Sequence, residues 1–509
     1  MDAWEIKGVA IESRNRTTMT IAEPIQYTAP SVKRNTDHVH YAVKRSPDYG
    51  YDTAQAVKRN PDYGYDGRID SIRETEYAHL GGTFFLTTIF ILDTIYMDHA
   101  AATPYPISSI NAHAKDLTST LLSNPHSHSA SGIETDNRIK SIRLRILQLF
   151  NASPKLFDVV FVPNATGGIK LIADGFSASR RGFRYRYLRD AHTSLVGVTG
   201  LARESGWLTE DDVTDWIRTG GEPGPGLFAY PAQSNLNGRR FPLHWPKQLR
   251  ETRQGWYSLL DASSLLTTTP LDYSDTASAP DFTVMSFYKV FGYPDLGAVI
   301  VRKEVGHMLV QRRYFGGGTR DGMNVDGWHL PRSTLHEALE DGTLPFHTIM
   351  ALETAFNTHI RIFGSHTRVA RHASLVARFA ITLLSSLQHQ NGRKVCHLFS
   401  APGHGPIVSF NIFNADGSPV GFVSFEKLCV MRDVAVRTGG MCNPGAVQMY
   451  IGISSEELEY VFTHGKVCGD DQDLLDGRNI GMIRASFGAC STVEDVCALV
   501  DLIREVYVK

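Results

Sequence analysis

Lys289 lies in "MSFYKVFGYPD", with aromatic and aliphatic residues on both sides. An apolar setting strips hydration from an ammonium, and the neutral amine that results is a nucleophile able to condense with an aldehyde. Four other polar motifs follow apolar, strand-like runs. "VVFV" leads into "PNATGGIKL", a small turn entering a helix, where Thr166 and Gly167 are candidates to hold an anion at the helix N-terminus. An ordinary N-cap would use the same letters. "YRYLRD" leads into "AHTS" with His192, although a lone histidine is more often structural. "GLFAY" leads into "PAQSNLNG", where Gln233, Ser234 and Asn235 offer amides and a hydroxyl or simply form a polar turn. "WYSLL" ends on Asp261, a carboxylate that is costly to bury without a cationic or proton-donating partner. "FTVMSFYK" delivers Ser286 together with Lys289.

The elements that must carry these residues follow from the same runs. "NRIKSIRLRILQLF" puts Ile139, Ile142, Ile146, Leu149 and Phe150 on one helical face. After it, short apolar runs near 160, 185, 228, 258, 285 and 299 alternate with helix-length segments. That alternation predicts an α/β fold with a mostly parallel sheet flanked by helices, whose ligands gather beyond the carboxyl ends of the strands. A second pattern begins near 335, with a helix over about 346–390, strands at "GPIVSFNIF" and "MIRASFG", and a closing helix "VEDVCALVDLIREVY". The expected organisation is a large α/β domain over 81–335, whose first residues can pack with the smaller domain, and a smaller α+β domain over 336–509. Residues 1–80 are polar and contain a duplication, "AVKRSPDYGYD" then "AVKRNPDYGYD", and are expected to form a disordered extension.

Composition narrows the function classes. Of 509 residues 42% are hydrophobic and 20% charged, and 51 basic residues balance 53 acidic ones, so no global field favours nucleic acid or an anionic membrane. The apolar stretch Thr83–Met97 is shorter than the roughly 17–25 residues of a spanning helix, carries Asp93, and favours strand. Six cysteines without a CxxC pair, and no compact secreted leader, predict free thiols in a reducing compartment and hence a cytoplasmic protein. His126 and His128 in "HSHS" find no third ligand by spacing, so no metal is expected.

The joint order of the polar motifs matches one chemistry. Pyridoxal phosphate requires a lysine, a carboxylate at its ring nitrogen and a phosphate cup, and it benefits from a flat side chain over the ring. Lys289, Asp261, Thr166 with Ser286, and His192 fill those roles in turn. Cys442 stands apart from the other five cysteines: they sit in apolar or helical settings, where cysteine packs as core. It sits in "RTGGMCNPG", a loop able to present a thiolate, with Arg437 five residues before it.

The motifs "YMDHAAATPYP", "NPHSHSAS", "NATGGIKLIADGF", "DAHTSLVG", "PAQSNLNGRRFPL", "LLDASSLL", "SFYKVFGYPDLGAVIVRK", "YFGGGT", "ALEDGTLPF", "VRTGGMCNPGA", "KVCGDD" and "IRASFG" carry a family resemblance. The sequence resembles the class V, fold-type I pyridoxal-phosphate enzymes from about Ile95 to the C-terminus. Within them it is most similar to the cysteine desulfurase domain of molybdenum cofactor sulfurases. The resemblance implies Lys289 as Schiff-base lysine, Asp261 at the pyridinium nitrogen, and His192 stacked on the ring and helping to move protons. It implies Thr166, Gly167 and Ser286 at the phosphate, Gln233 near the phenolic oxygen, and Thr319 reaching the phosphate of a neighbouring subunit in a homodimer. Arg484 would grip the substrate α-carboxylate, Asn124 would also bind substrate, and Cys442 would accept sulfur. The implied reaction is L-cysteine desulfuration, releasing alanine and leaving a persulfide, with a molybdenum cofactor or a protein as sulfur acceptor.

Three departures bear on this. Full-length relatives continue into a cofactor-binding domain, whereas this sequence ends at "DLIREVYVK", so the expectation is desulfurase chemistry without that domain. Phe84–Thr94 reads as an insertion or a gene-model error, and Gly440-Met441 stands where the family often has a further cysteine. The alternative is another class V reaction on an amino acid (decarboxylase, aldolase or aminotransferase), because the scaffold does not decide which Cα bond breaks. Cys442 discriminates between these readings. A catalytically silent binding protein is opposed by the intact Lys289, Asp261 and His192.

Overall fold

The six apolar runs all become strands of one seven-stranded sheet in the computed structural model. These are β1 (Phe157–Val162), β2 (Arg184–Leu188), β4 (Gly226–Pro231), β5 (Trp256–Asp261), β6 (Phe282–Ser286) and β7 (Gly297–Arg302), with β3 (Glu204–Leu208) added at the edge. Their order is β1-β7-β6-β5-β4-β2-β3. Pairings β3–β2–β4–β5–β6 are parallel, and β7 runs antiparallel between β6 and β1. Every residue of β1, β4, β6 and β7 is buried, the pattern of strands covered on both faces. One face packs on helices Ala130–Leu149 and Phe346–Phe363 through Ile142, Ile146, Met350 and Phe356. Helix Ala165–Ser177 covers the other through Ile169, Ile172 and Phe176.

A second sheet, ordered β8 (Cys396–Leu398), β9 (Ile407–Ile412), β11 (Met482–Ser486), β10 (Arg437–Gly439), packs against helices His366–Ser386 and Val493–Tyr507. Here the structure corrects the expected helix over 346–390. It is two helices, ended by Gly364 at φ +76° and restarted by Ser365, whose side chain accepts the Arg368 N–H. The first belongs to the core of the large sheet and the second to that of the small one. The apolar periodicity runs through both helices because each has its own buried face.

The structure describes residues 50–59, 64–81, 94–221, 224–467 and 469–509, all within the unit Pro47–Lys509. The expected structureless extension through residue 80 is corrected for its described part. Helices Gly50–Arg59 and Arg68–Glu76 bury Ala54, Val57 and Ile69, and Lys58 pairs with Asp70 and Glu494. Most of the first duplicated copy and of the expected insertion lies outside the described residues. Ile95–Tyr96 pairs in parallel with Val434–Ala435. Among the described residues, no helix is long and apolar enough to cross a membrane.

Candidate active site

β6 ends at Ser286 and passes directly into the single turn Phe287–Phe291, which places Lys289 at the carboxyl edge of the sheet. Thr103, from "YMDHAAATPYP", fixes that turn: its hydroxyl donates to the Lys289 carbonyl at 2.8 Å. Burial lowers the pKa of the Lys289 ammonium. Among the charges it feels, Arg484 pushes the same way, and Asp261, Asp98 and Cys442 oppose. Residues from four separate segments therefore act on one amine. β5 ends at Asp261, whose Oδ1 accepts the Ser263 N–H at 3.0 Å.

His192 caps the short helix Thr193–Val196, and its Nδ1 accepts the Ser194 N–H at 3.1 Å. That bond leaves Nδ1 unprotonated, so the neutral ring carries its hydrogen on Nε2. Burial lowers the His192 pKa, while Asp261 raises and Lys289 lowers it. Lysine, carboxylate and imidazole thus share one electrostatic environment.

Beside them is the start of helix Ala165–Ser177. The Ala165 N–H donates to Ser286 Oγ at 2.9 Å, and Thr166 Oγ1 lies 2.8 Å from Ser194 Oγ. The Gly167 N–H is taken by the Asn164 cap at 3.0 Å. Gly168 lets this helix end sit on the sheet, since a Cβ there would lie 2.8 Å from Val299. Three hydroxyls meet the positive end of a helix, an arrangement that suits a phosphate. Ser194 went unremarked in the sequence reading; its signal was its place two residues after His192.

Arg484 is buried on β11, donating to Asp98 Oδ1 at 2.7 Å and to the Asn235 carbonyl at 2.8 Å. Its Nε is buried without a partner among the described residues. Arg437 stands opposite it in the β10–β11 register. Gln233 is buried, with its amide donating to Ser264 Oγ at 3.2 Å and accepting from Arg240 at 3.3 Å. Thr319 donates to the Gly316 carbonyl at 2.7 Å, and the exposed Asn124 approaches Thr343 at 3.5 Å. Asn124 Oδ1 also accepts the His126 N–H at 2.9 Å. Among the described residues, no group of three metal-ligating side chains includes His126 or His128.

Cys442 is exposed, whereas Cys396, Cys429, Cys490 and Cys497 are buried and burial pushes each of their thiols up to about 12. Cys468 lies outside the described residues. Met441 and Cys442 both hold left-handed backbone, φ +52° and +53°, which costs roughly 1–2 kcal/mol per non-glycine residue. Contacts from the large sheet's loops hold them there. The Thr193 N–H donates to the Cys442 carbonyl at 2.8 Å, and Asn235 Nδ2 donates to the Met441 carbonyl at 2.7 Å. Asn443 Nδ2 reaches both Asp190 Oδ1 at 2.6 Å and Asn235 Oδ1 at 2.9 Å. Gly445 lies so close to the Arg189 carbonyl that no Cβ would fit. The thiol loop is therefore anchored beside His192.

Known proteins resemble this chain in sequence and in fold. The chain is 46% identical over 461 residues to the molybdenum cofactor sulfurase of Aspergillus clavatus, covering 87% of this chain and 53% of that protein. It is 47% identical over 450 residues to that of Neosartorya fischeri, covering 84% and 53%. It spans about half the length of these curated relatives. Among solved structures, the apo cysteine desulfurase of Thermococcus onnurineus NA1 superposes with a TM-score of 0.67 at 17% identity, covering 86% of this chain and 98% of that one. The cysteine desulfurase CsdA of Escherichia coli gives 0.63 at 19%, covering 86% and 99%. These likenesses show the fold, type I with a mostly parallel central sheet flanked by helices. The aminotransferase class-V pattern matches residues 95–499, and the chain belongs to that family.

Proposed function

We propose that this chain is a pyridoxal-phosphate-dependent L-cysteine desulfurase, which moves the substrate sulfur onto Cys442 as a persulfide and releases alanine. The observation that carries this reading is an exposed thiol anchored beside His192 and felt electrostatically by Lys289. The donor set fits the cofactor: a desolvated lysine, a strand-end carboxylate, an imidazole, and a helix start ringed by Thr166, Ser194 and Ser286. When bound, pyridoxal phosphate supplies the electron sink that makes the substrate Cα–H acidic.

The protein's own groups do the rest. Lys289, its pKa lowered by burial, is the base for the Cα proton. His192 offers an Nε2–H on a ring fixed by Ser194. Arg484 is the guanidinium for the substrate carboxylate, a bidentate partner with an unmet buried Nε. The Cys442 thiolate attacks the substrate sulfur: an S–S bond forms, the Cβ–S bond breaks with its electron pair left on Cβ, Cβ takes up a proton, and Lys289 returns a proton to Cα to complete alanine. Gln233 and Asn124 retain their proposed cofactor and substrate roles only if their side chains turn from their present partners.

Delivery of the sulfur to a molybdenum cofactor, as the relatives' name suggests, belongs to the same proposal, as do a reducing cytoplasmic location and a homodimer in which Thr319 serves the neighbouring phosphate. The hairpin after Thr319 supports the dimer, because it exposes Met323, Val325, Trp328 and Leu330. The decisive test incubates purified protein with pyridoxal phosphate and L-cysteine under reducing conditions and measures alanine and sulfide. Wild type is expected to produce both, and Lys289→Ala or Cys442→Ala to reduce alanine by about 10²–10⁴-fold or more. No alanine from cofactor-loaded wild type would overturn the reading.

A further inference from the structure

Asp190 is buried two residues before His192, yet it contacts nothing that reacts. Its Oδ1 accepts from Asn443 Nδ2 at 2.6 Å and from the Ser234 hydroxyl at 2.8 Å, while its Oδ2 is buried without a partner among the described residues. Asn443 adjoins Cys442 and caps helix Pro444–Ile451 by accepting the Ala446 N–H. It also donates to Asn235, which holds the Met441 carbonyl with its side chain and Arg484 with its own carbonyl. Two successive left-handed residues persist only where their surroundings over-determine them. Asp190 stands at the root of the contacts that do so. A buried carboxylate with one oxygen unmet is a poor choice for stability alone.

We propose that Asp190 is a positioning residue for Cys442: its carboxylate fixes Asn443 and, through Asn235, the loop that presents the thiol to the substrate sulfur. This rests on the desulfurase reading. The carboxylate aligns Asn443 by a charge-assisted bond, stronger than a neutral acceptor would make, and Ser234 donates to the same oxygen. The same Asn235 ties the loop to Arg484, so thiol and carboxylate-binding group share one support.

The test uses the full chain loaded with pyridoxal phosphate, comparing wild type, Asp190→Ala and Asp190→Asn. Alanine formation gives kcat and KM, and peptide mapping after iodoacetamide gives the alkylation rate of Cys442 separately from the other thiols. Asp190→Ala is expected to lower kcat about tenfold or more, to leave KM for cysteine within about threefold, and to change Cys442 alkylation beyond threefold. Asp190→Asn, which keeps an acceptor for both donors, is expected to recover most of both losses. Asn443→Ala, which cuts the link from the loop side, is expected to match Asp190→Ala and stands in for it if that variant does not fold. Wild-type kcat and alkylation in folded Asp190→Ala, a change in KM alone, or no recovery in Asp190→Asn would overturn the proposal. Absence of alanine from wild type would retire the desulfurase reading alone, because the alkylation comparison still decides the loop.

Discussion

Lys289 leaves the end of a central strand buried along its whole length, whereas Cys442 sits on an exposed loop held in place by residues of the other sheet's loops. The amine inherits its position from backbone pairing on both sides of β6. The thiol borrows its position from side chains: Asp190, Asn235 and Asn443. A group on a packed strand keeps its place through core substitutions that a tethered loop would feel, because backbone ladders do not depend on one side chain. The arrangement also suits the chemistry, since a thiol that must meet a substrate sulfur and later pass it on needs access, while the amine needs poor solvation.

If the two halves are positioned independently, damage to the lysine side should leave the thiol side alone. Asp261→Ala removes the carboxylate proposed for the cofactor ring and should weaken pyridoxal-phosphate affinity by about 2–5 kcal/mol, roughly 30-fold or more. An absorbance titration of cofactor into apoprotein measures this. Cys442 alkylation in the apoprotein should stay within about twofold of wild type. A comparable change there would break the comparison, showing that the thiol loop also depends on the lysine rim.

Arg484 tests the joint between the halves. Arg484→Ala should raise KM for cysteine about 10–150-fold, the loss of one charged hydrogen-bonding contact to the α-carboxylate at roughly 1.5–3 kcal/mol. It also frees the Asn235 carbonyl, so Cys442 alkylation should shift a few-fold, less than in Asp190→Ala. Arg484→Lys should recover little of KM, because an ammonium lacks the planar fork. An unchanged KM would remove Arg484 from substrate binding.

The two halves were unequally legible in the sequence. Strands buried on both faces produce continuous apolar runs, so six strands and the polar residues at their ends could be read directly. β3 was missed because an edge strand, "ESGWL", buries too little to carry such a run. Cys442 was legible by composition, as a cysteine among glycine, asparagine and proline. Its tether was not, since Asp190, Asn235 and Asn443 lie in three loops joined only by the fold, and hydrogen-bond networks leave no period in a sequence. The Gln233 amide is taken up by Ser264 and Arg240, while its neighbours Ser234 and Asn235 hold the thiol loop's network.

The last expected effect is on stability, and it separates placement from folding. Burial pushes the Asp190 carboxyl up to about 6 from a usual 3.8, while Ser234, Asn443 and Arg239 pull it down. A carboxyl with a raised folded pKa contributes stability below its unfolded pKa and loses it as pH rises through the folded one. Wild type therefore carries a cost of up to about 3 kcal/mol above pH 6 that is absent below pH 4. Asp190→Asn has no such titration, so its Tm should rise relative to wild type between pH 4 and 6 and stay higher at pH 7.5. A Tm difference independent of pH would show that Asp190 stays ionised in the fold as easily as in the unfolded chain. With the predicted pH dependence, a variant more stable than wild type at neutral pH yet still slower at forming alanine would mark Asp190 as kept for where it puts Cys442.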